Sequence, residues 1–197
     1  MWGKSGFAEK TGIINMRVLT GQSKGKRLKV PRGKSLRPTT ARIKKSMFDI
    51  LGSEVQQTRV LDLFSGSGNL GIEALSLGAE SCVFVEKNPA TAEIIAQNLR
   101  SCGYTEQSRI LNFDFRKALS MLSAENCGFD LVFIDPPYEF YERTDPHSLA
   151  REIRDVLREK GVMVIEHPSG NIMKSEGFDV RTRKYGGTSV SFLRRLD

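Results

Sequence analysis

The sequence is poor in cysteine and histidine and has no long hydrophobic run. Its three cysteines, Cys82, Cys102 and Cys127, form no Cys-x-x-Cys pair, which argues against a disulfide scaffold or a cysteine zinc site and favours a reducing compartment. His147 and His167 have no metal-ligand partners at useful spacing, so we expect no metal. No apolar run approaches the ~20 residues of a membrane span, and the start lacks the apolar segment of a signal peptide. We therefore expect a cytoplasmic protein that does not bind membranes.

Acidic residues are missing from one stretch of the chain. Between Arg17 and Lys45 there are eleven basic residues and no Asp or Glu, and without those eleven the net charge of +7 becomes −4. A basic segment on an acidic body predicts binding to a polyanion, and nucleic acid is the leading candidate. A solvated basic face is the alternative. Gly25, Pro31 and Gly33 disfavour a helix lying on a membrane surface.

The rest of the composition is typical of a globular protein. With 197 residues, of which 39% are hydrophobic and 27% charged, the chain can form one domain of about 150 residues and an extension. We assign residues 1–15 as irregular, 16–52 as a basic N-terminal extension for nucleic-acid recognition, and 53–197 as the main domain. Translation can start at Met1 or at Met16.

The extension is predicted to contain a hairpin and a helix. We expect strands at 17–20 and 27–30 and a helix from Thr39, as its cap, to Leu51. Apolar residues at helical spacing predict one buried face, with basic residues projecting elsewhere. The buried set is Ile43, Met47, Ile50 and Leu51, and the basic set is Arg42, Lys44 and Lys45.

In the main domain, apolar strands alternate with helices. Strands are predicted at 60–64, 82–86, 109–112, 130–134 and 162–166, with helices between them, the last one from Pro146 to Lys160, and a final hairpin of 178–184 and 189–194. This alternation predicts an α/β fold, with a mostly parallel sheet covered on both faces and an antiparallel hairpin at one edge.

A glycine-rich turn follows the first strand of this domain. The segment from Asp62 to Gly68 leaves the strand and enters a helix, and its glycines let the backbone approach a ligand closely. Glu86 ends the next strand, where a carboxylate can accept hydrogen bonds from two ribose hydroxyls. Gly66, Gly68 and Gly71, with Glu86 twenty residues after Gly66, also match the dinucleotide-binding fingerprint. The pattern predicts a ribose-bearing cofactor.

The charge of Asp62 discriminates among such cofactors. A carboxylate facing the pocket repels a pyrophosphate but suits a cation, and S-adenosylmethionine carries a sulfonium and an amino group and no phosphate. We favour this methyl donor; a nicotinamide or flavin cofactor and a purely structural turn are the alternatives. Asp114, followed by Phe115, either accepts the adenine amino group or caps the next helix.

The segment Asp135-Pro136-Pro137-Tyr138 directly follows the fourth strand. Its prolines end the strand and stiffen the turn, which fixes the Asp135 carboxylate and the Pro136 carbonyl as two acceptors. Two such acceptors can hold both hydrogens of a nucleobase amine and free its lone pair for attack on a methyl sulfonium, while Tyr138 offers a face for stacking. An ordinary strand-to-loop turn is the alternative. If the first and fourth strands are neighbours, donor and acceptor share one crevice.

These motifs together resemble those of class I S-adenosylmethionine-dependent N-methyltransferases. The extension narrows the resemblance, because Gly21, Gly25 and Leu28, then Leu36-Arg37-Pro38-Thr39 and a helix carrying Phe48, are similar to the RsmD family of bacterial 16S rRNA guanine-N2 methyltransferases. The resemblance covers roughly residue 16 to the end. It implies a Rossmann-like sheet of seven strands and methyl transfer to the 2-amino group of one guanine. It also implies 16S rRNA in a small-subunit assembly intermediate as the partner, and we expect a monomer.

The motifs and the resemblance also nominate the site residues. The catalytic residues are expected to be Asp135, Pro136, Pro137 and Tyr138; the cofactor-binding residues Asp62, Phe64, Ser65, Gly66, Gly68, Glu86, Lys87, Asp114 and Phe115; and the RNA-binding residues Lys24, Lys26, Arg27, Arg37, Thr39 and Arg42.

Two other functions stay open. DNA adenine-N6 and other nucleic-acid amino methyltransferases share this core, but they usually carry a target-recognition insert, and only about sixty residues follow Tyr138. Unstacked RNA bases also spare the cost of base flipping. A non-catalytic RNA-binding module is disfavoured by the intact Asp135 and Gly66. After the motif, a loop with Phe140, Tyr141 and Arg143 either closes over the base or is an ordinary surface loop.

Overall fold

The computed structural model describes residues 16–31, 40–142, 144, 146–170 and 175–196, with the backbone only for Tyr138, Pro146 and His147. The predicted RNA contacts Arg37 and Thr39 lie outside these residues, as does the segment 1–15. Within the described part, no helix combines the length and the apolar character that crossing a bilayer requires.

The described residues form nine strands, five α-helices and three short 3₁₀ helices. In chain order the strands and α-helices are β1 (Met16–Arg17), β2 (Arg27–Leu28), α1 (Ala41–Leu51), β3 (Arg59–Asp62), α2 (Asn69–Ser76), β4 (Ser81–Val85), α3 (Pro89–Cys102), β5 (Ser108–Leu111), α4 (Phe115–Ala124), β6 (Phe129–Ile134), α5 (Pro146–Ile153), β7 (Leu157–Pro168), β8 (Phe178–Tyr185) and β9 (Thr188–Arg195). The 3₁₀ helices are Gly52–Val55, Tyr138–Glu142 and Arg154–Val156.

A seven-stranded sheet forms the centre of the protein, in the order β5-β4-β3-β6-β7-β9-β8. The five strands from β5 to β7 are parallel, and β9 runs antiparallel to both of its neighbours. The prediction of a mostly parallel sheet with an edge hairpin is confirmed. Because β3 lies in the middle, the chain reverses its direction of strand addition there, and ligands bind at such a switch point.

Successive residues of the central strands face two separate cores. Phe133 packs with residues of α1, α2 and α3, whereas Val132 and Ile134 pack with residues of α4 and α5. Alternate side chains of a strand point to opposite faces, so a strand buried on both sides is apolar throughout. This explains the continuous apolar runs of the sequence.

The extension packs on the first of these cores. Strands β1 and β2 pair antiparallel, and Val18, Leu28 and Met47 are buried in the same cluster as sheet residues. The Phe48 ring lies 5.5 Å from the Phe133 ring. The described residues of the extension, 16–31 and 40–52, thus share their hydrophobic core with the main domain.

Helix α1 differs from its prediction in three details. Its cap is Thr40, whose hydroxyl accepts the Ile43 N–H at 3.3 Å, one residue beyond the predicted Thr39. Lys44, predicted to project away from the core, is 1% exposed because it has a buried partner in α2, and Ile50, predicted to be buried, is 44% exposed. Helical spacing identified the apolar stripe but not the buried ion pair beside it.

The predicted helix from Pro146 to Lys160 is wrong in its second half. Helix α5 ends at Ile153, and β7 begins at Leu157, which pairs with Phe129 of β6. The register then shifts, since Leu131 pairs with Val162, and the additional β7 residues form a bulge. These residues carry a helix-like polar pattern, but Leu157 is buried against the sheet, and tertiary packing overrides the local preference.

Candidate cofactor and acceptor site

The two chemical motifs lie side by side at one edge of the sheet. Strand β3 pairs in parallel with β6, with Asp62 opposite Phe133, and the Leu63 N–H donates to the Phe133 carbonyl at 3.0 Å. The carboxyl ends of both strands therefore meet. The glycine turn after β3 and the Asp135 turn after β6 therefore lie next to each other, which meets the condition that the sequence analysis set for a shared site.

The glycine turn is tightly wound and open on its outer side. The Ser65 hydroxyl donates to the Asp62 carbonyl at 2.7 Å, and the Gly68 N–H donates to the Ser65 carbonyl at 2.7 Å. Gly66 has φ +52°, and no atom lies within 4 Å of where its Cβ would be. The backbone of Gly66 can therefore approach a ligand closely. Ser65 itself is buried and stabilises the turn.

Gly71 serves helix–strand packing. A Cβ there would lie 2.4 Å from a Phe84 ring carbon and 2.7 Å from the Cys82 sulfur. Its N–H donates to Asp62 Oδ2 at 3.0 Å, which ties α2 to β3. The match to a dinucleotide fingerprint at this position thus has a packing cause.

Asp62 is more deeply buried than the sequence suggested. Its side chain is 2% exposed and lies under the turn rather than openly facing the pocket. Burial raises its pKa to about 7, against the opposing hydrogen bond from Gly71, and the nearby charges of Asp135 and Glu86 raise it further. A cation bound at this edge would favour its ionised form.

Glu86 is oriented by two backbone amides. Its Oε2 accepts the Gly66 N–H at 3.1 Å and its Oε1 accepts the Asn88 N–H at 2.8 Å. The Asn112 amide donates to the Glu86 carbonyl at 2.7 Å. These contacts hold the half-buried carboxylate beside the glycine turn, where it can accept ribose hydroxyls. The neighbouring Lys87 is exposed.

Three aromatic rings pack together next to this acid. The Phe64 ring lies 5.1 Å from the Phe115 ring and 5.2 Å from the Phe140 ring, and Phe115 and Phe140 are 5.5 Å apart. Phe64 and Phe115 were predicted for the cofactor, but Phe140 was assigned only to the acceptor side. Its position in the sequence, beyond the Asp135 turn, gave no signal that it reaches the cofactor residues.

Asp114 caps helix α4. Its exposed carboxylate accepts the Arg116 N–H at 3.1 Å, which is the capping alternative raised by the sequence. A cap can use one oxygen and leave the second for a ligand, so the predicted contact with adenine stays a prediction.

Two hydrogen bonds hold the segment that follows the acceptor turn. Asp135 is half-buried, Pro136 is buried and Pro137 is exposed. The Phe140 N–H donates to the Pro137 carbonyl at 2.9 Å, inside the 3₁₀ helix that begins with Tyr138. The Tyr141 hydroxyl donates to the Glu166 carbonyl of β7 at 2.5 Å. The segment after the motif is therefore anchored to the sheet.

Four of the six predicted RNA contacts of the extension lie among the described residues. Lys24, Lys26, Arg27 and Arg42 are exposed. The Lys26 ammonium group donates to the Ser101 and Cys102 carbonyls, at 3.1 and 3.2 Å, so it also caps the carboxyl end of α3. Leu19, Thr20 and Ser23 of the extension bind α2, and Lys26 and Lys29 bind α3.

The chemistry of the site suits S-adenosylmethionine. In such a complex, Asp62 and Glu86 would supply negative charge for the cation and acceptors for the ribose, and the Phe64 and Phe115 rings would supply an apolar surface for the purine. The order of the seven strands, with β9 antiparallel to its neighbours, together with the glycine turn and the acid after β4, is that of a class I S-adenosylmethionine-dependent methyltransferase.

Comparison with known proteins agrees with this class and narrows it. Residues 16–194 match the family described as "Conserved hypothetical protein 95". The chain belongs to this family, the RsmD family of S-adenosylmethionine-dependent methyltransferases.

Similar proteins are found in several bacteria. The chain is 37% identical over 183 residues to YlbH of Bacillus subtilis (strain 168), provisionally named an rRNA methyltransferase, with 91% of this chain and 99% of that protein covered. It is 31% identical over 156 residues to ribosomal RNA small subunit methyltransferase D of Escherichia coli (strain K12). That alignment covers 79% of this chain and 73% of the relative. The solved structure of yhhF from Escherichia coli, provisionally titled a methyltransferase, has a TM-score of 0.78 and 26% identity, and covers 92% of this chain and 98% of its own.

Proposed function

We propose that this protein transfers a methyl group from S-adenosylmethionine to the exocyclic 2-amino group of a guanine in small-subunit rRNA. The observation that carries this proposal is the pairing of β3 with β6, which puts the Asp135 turn beside the glycine turn. The name of the Escherichia coli relative, ribosomal RNA small subunit methyltransferase D, supports the choice of rRNA.

The residues of the acceptor turn would do the chemistry by positioning. The Asp135 carboxylate and the Pro136 carbonyl accept the two N–H groups of the amine, and this draws the nitrogen lone pair out of conjugation with the ring. S-adenosylmethionine supplies an electrophilic methyl group on a sulfonium. The N–C bond forms as the S–C bond breaks, which leaves S-adenosylhomocysteine, and the amine proton, which becomes acidic during the reaction, is lost to water.

Each residue of the cofactor site would have its own role. Glu86 binds the ribose hydroxyls, and Phe64 and Phe115 contact the purine. Asp62 stabilises the positive charge, and Gly66 allows close approach of the backbone. Lys24, Lys26, Arg27 and Arg42, which are exposed, contact RNA phosphates, and Arg37 and Thr39 are further predicted contacts. We expect the substrate to be an assembly intermediate of the small subunit and the enzyme to act as a monomer.

Methyl transfer with a radiolabelled donor tests the proposal. Small-subunit rRNA, free and within ribosomal particles, is taken from cells that lack the enzyme, and nucleoside chromatography of the labelled RNA should give N2-methylguanosine. Label in DNA adenine alone would identify a DNA methyltransferase instead. Binding of donor and RNA without incorporation would indicate a non-catalytic module.

A further inference from the structure

The carboxyl end of β7 brings another acid to the acceptor turn. Strand β7 lies next to β6, with Ile165 paired to Ile134. The residues that follow this pair, Glu166 and Asp135, are therefore neighbours at the edge of the sheet. Glu166 is a charged residue that is only 9% exposed, although it lies at a strand end.

The alternation of side chains indicates which face of the sheet Glu166 takes. Val164 belongs to the core beneath α1, α2 and α3, and Ile165 to the opposite core, so Glu166 faces the same side as Val164. Phe133 faces this side as well, and Asp135 is the first residue after the end of β6. The charge of Asp135 acts on Asp62, which is consistent with this position.

The segment after the acceptor turn is hydrogen-bonded to the backbone of Glu166. The Tyr141 hydroxyl donates to the Glu166 carbonyl at 2.5 Å. Next along the strand, the His167 ring lies 2.8 Å from the Ser191 hydroxyl and 2.9 Å from the Pro168 carbonyl. The backbone on either side of the Glu166 carboxylate is therefore held in place relative to the motif.

We propose that Glu166 determines base specificity by accepting the N1–H of the target guanine while Asp135 and Pro136 hold its 2-amino group. This inference rests on the proposed function. In guanine the N1–H and the 2-amino group are adjacent donors on one edge, so two neighbouring carboxylates match them. In adenine N1 is an acceptor, and a carboxylate placed there repels it.

A base analogue separates this role of Glu166 from the amine chemistry. In 2,6-diaminopurine the 2-amino group is retained, but N1 is an acceptor without hydrogen. After the methylated position is mapped, ligated rRNA carrying either guanine or 2,6-diaminopurine at that position is offered to the wild-type protein. We expect kcat/KM for diaminopurine to be lower by about a hundredfold or more. Equal kcat/KM values for the two RNAs would overturn the inference.

The variant Glu166→Gln gives the complementary result. Its amide can donate to N1 of diaminopurine as well as accept from guanine, so the preference for guanine should shrink to about tenfold or less, with binding of S-adenosylhomocysteine unchanged. Glu159→Gln, which replaces an exposed acid of the same strand, should keep the wild-type preference. An unchanged preference in Glu166→Gln would contradict the role of Glu166.

These outcomes are distinct from failure of the proposed function. If the wild-type protein methylates no guanine in any RNA, the proposed function is wrong and the inference falls with it. If guanine is methylated but diaminopurine is methylated equally well, the function stands and only the inference fails. The wild-type comparison needs no variant, so poor folding of Glu166→Gln would not prevent a decision.

Discussion

The Lys44 ammonium group and the Glu73 carboxylate lie 2.6 Å apart, and both side chains are 1% exposed. Glu73 also accepts the N–H groups of Leu19 and Thr20, at 3.0 and 2.7 Å, and Lys44 donates to Asn69 at the start of α2. One buried ion pair therefore joins the extension, α1 and α2. Since α2 begins directly after the glycine turn, the extension is attached to the element that presents the cofactor site.

Removing one partner of this pair should destabilise the fold strongly. Lys44→Ala leaves a buried carboxylate without its main counter-charge, and we expect the free energy of unfolding to fall by about 3–5 kcal/mol. Chemical denaturation monitored by circular dichroism measures it. Lys45→Ala is the matched control, because Lys45 pairs with Asp49 at the same 2.6 Å but the two side chains are 63% and 57% exposed. A loss above about 1 kcal/mol in the control would contradict the role of burial.

Gly21 is expected to be indispensable for docking the extension on α2. It has φ +73°, and a Cβ there would lie 1.9 Å from the backbone oxygen of Ser76. Gly25 has φ +86° but no atom within 4 Å of its Cβ position. Gly21→Ala should therefore be less stable than Gly25→Ala by about 2 kcal/mol or more, since both variants carry the backbone strain and only one carries the clash. Equal stabilities in thermal unfolding would show that the loop moves away freely.

Much of the sheet could be predicted because its central strands are apolar along their whole length. The runs around Val60, Phe84 and Phe133 are apolar on both faces, as buried parallel strands must be. Glycine and proline mark the ends of helix α3, where Pro89 is the first residue and Gly103 follows the last. Such local signals do not depend on distant partners.

The failed predictions concern residues whose neighbours are far away in sequence. Lys44 is buried because Glu73 meets it, 29 residues later in the chain. Phe140 packs on Phe64 and Phe115 because β3 and β6 are adjacent, which the sequence left as a condition. Leu157 begins a strand because Phe129 pairs with it. Each depends on a tertiary contact that periodicity does not encode.

Cofactor affinity should depend on pH through Asp62. The pKa of this buried carboxyl is about 7, against 3.8 when it is free of the fold, so the folded protein holds an additional proton between these values. The stability that protonated Asp62 contributes to the fold is therefore lost as the pH rises from about 4 to about 7. A bound cation favours the ionised form, so binding of S-adenosylmethionine should release a proton and tighten by about tenfold from pH 5.5 to pH 7.

Calorimetry in buffers with different ionisation enthalpies measures that proton. Asp62→Asn cannot ionise, and we expect its weaker binding to be nearly independent of pH over the same range, which lies below the titration of the cofactor amino group. Asp114→Asn, at the exposed cap of α4, should retain the wild-type pH dependence. A wild-type affinity that does not change with pH would argue against a cation beside Asp62.

The extension should contribute to RNA binding through counterion release. Replacing Lys24, Lys26 and Arg27 with glutamine removes three exposed charges, and the slope of log affinity against log salt should fall by about 0.7 for each phosphate of single-stranded RNA that these side chains neutralise in the wild-type complex. The matched control replaces Arg116 and Lys117, exposed basic residues of α4, which covers the opposite face of the sheet. An unchanged slope in the triple variant, measured by filter binding, would show that this part of the extension does not touch RNA.

Two substitutions at Asp135 separate hydrogen bonding from proton removal. Asp135→Ala removes the acceptor, and we expect kcat to fall by about a thousandfold with little change in affinity for S-adenosylhomocysteine, because residue 135 holds the amine rather than the cofactor. Asp135→Asn keeps a carbonyl oxygen in the same place but cannot take a proton at neutral pH. If positioning of the amine is the main effect, the asparagine variant should retain at least about a tenth of the wild-type kcat. If both variants lose activity equally, the carboxylate acts as a general base and the mechanism proposed for the acceptor turn is wrong.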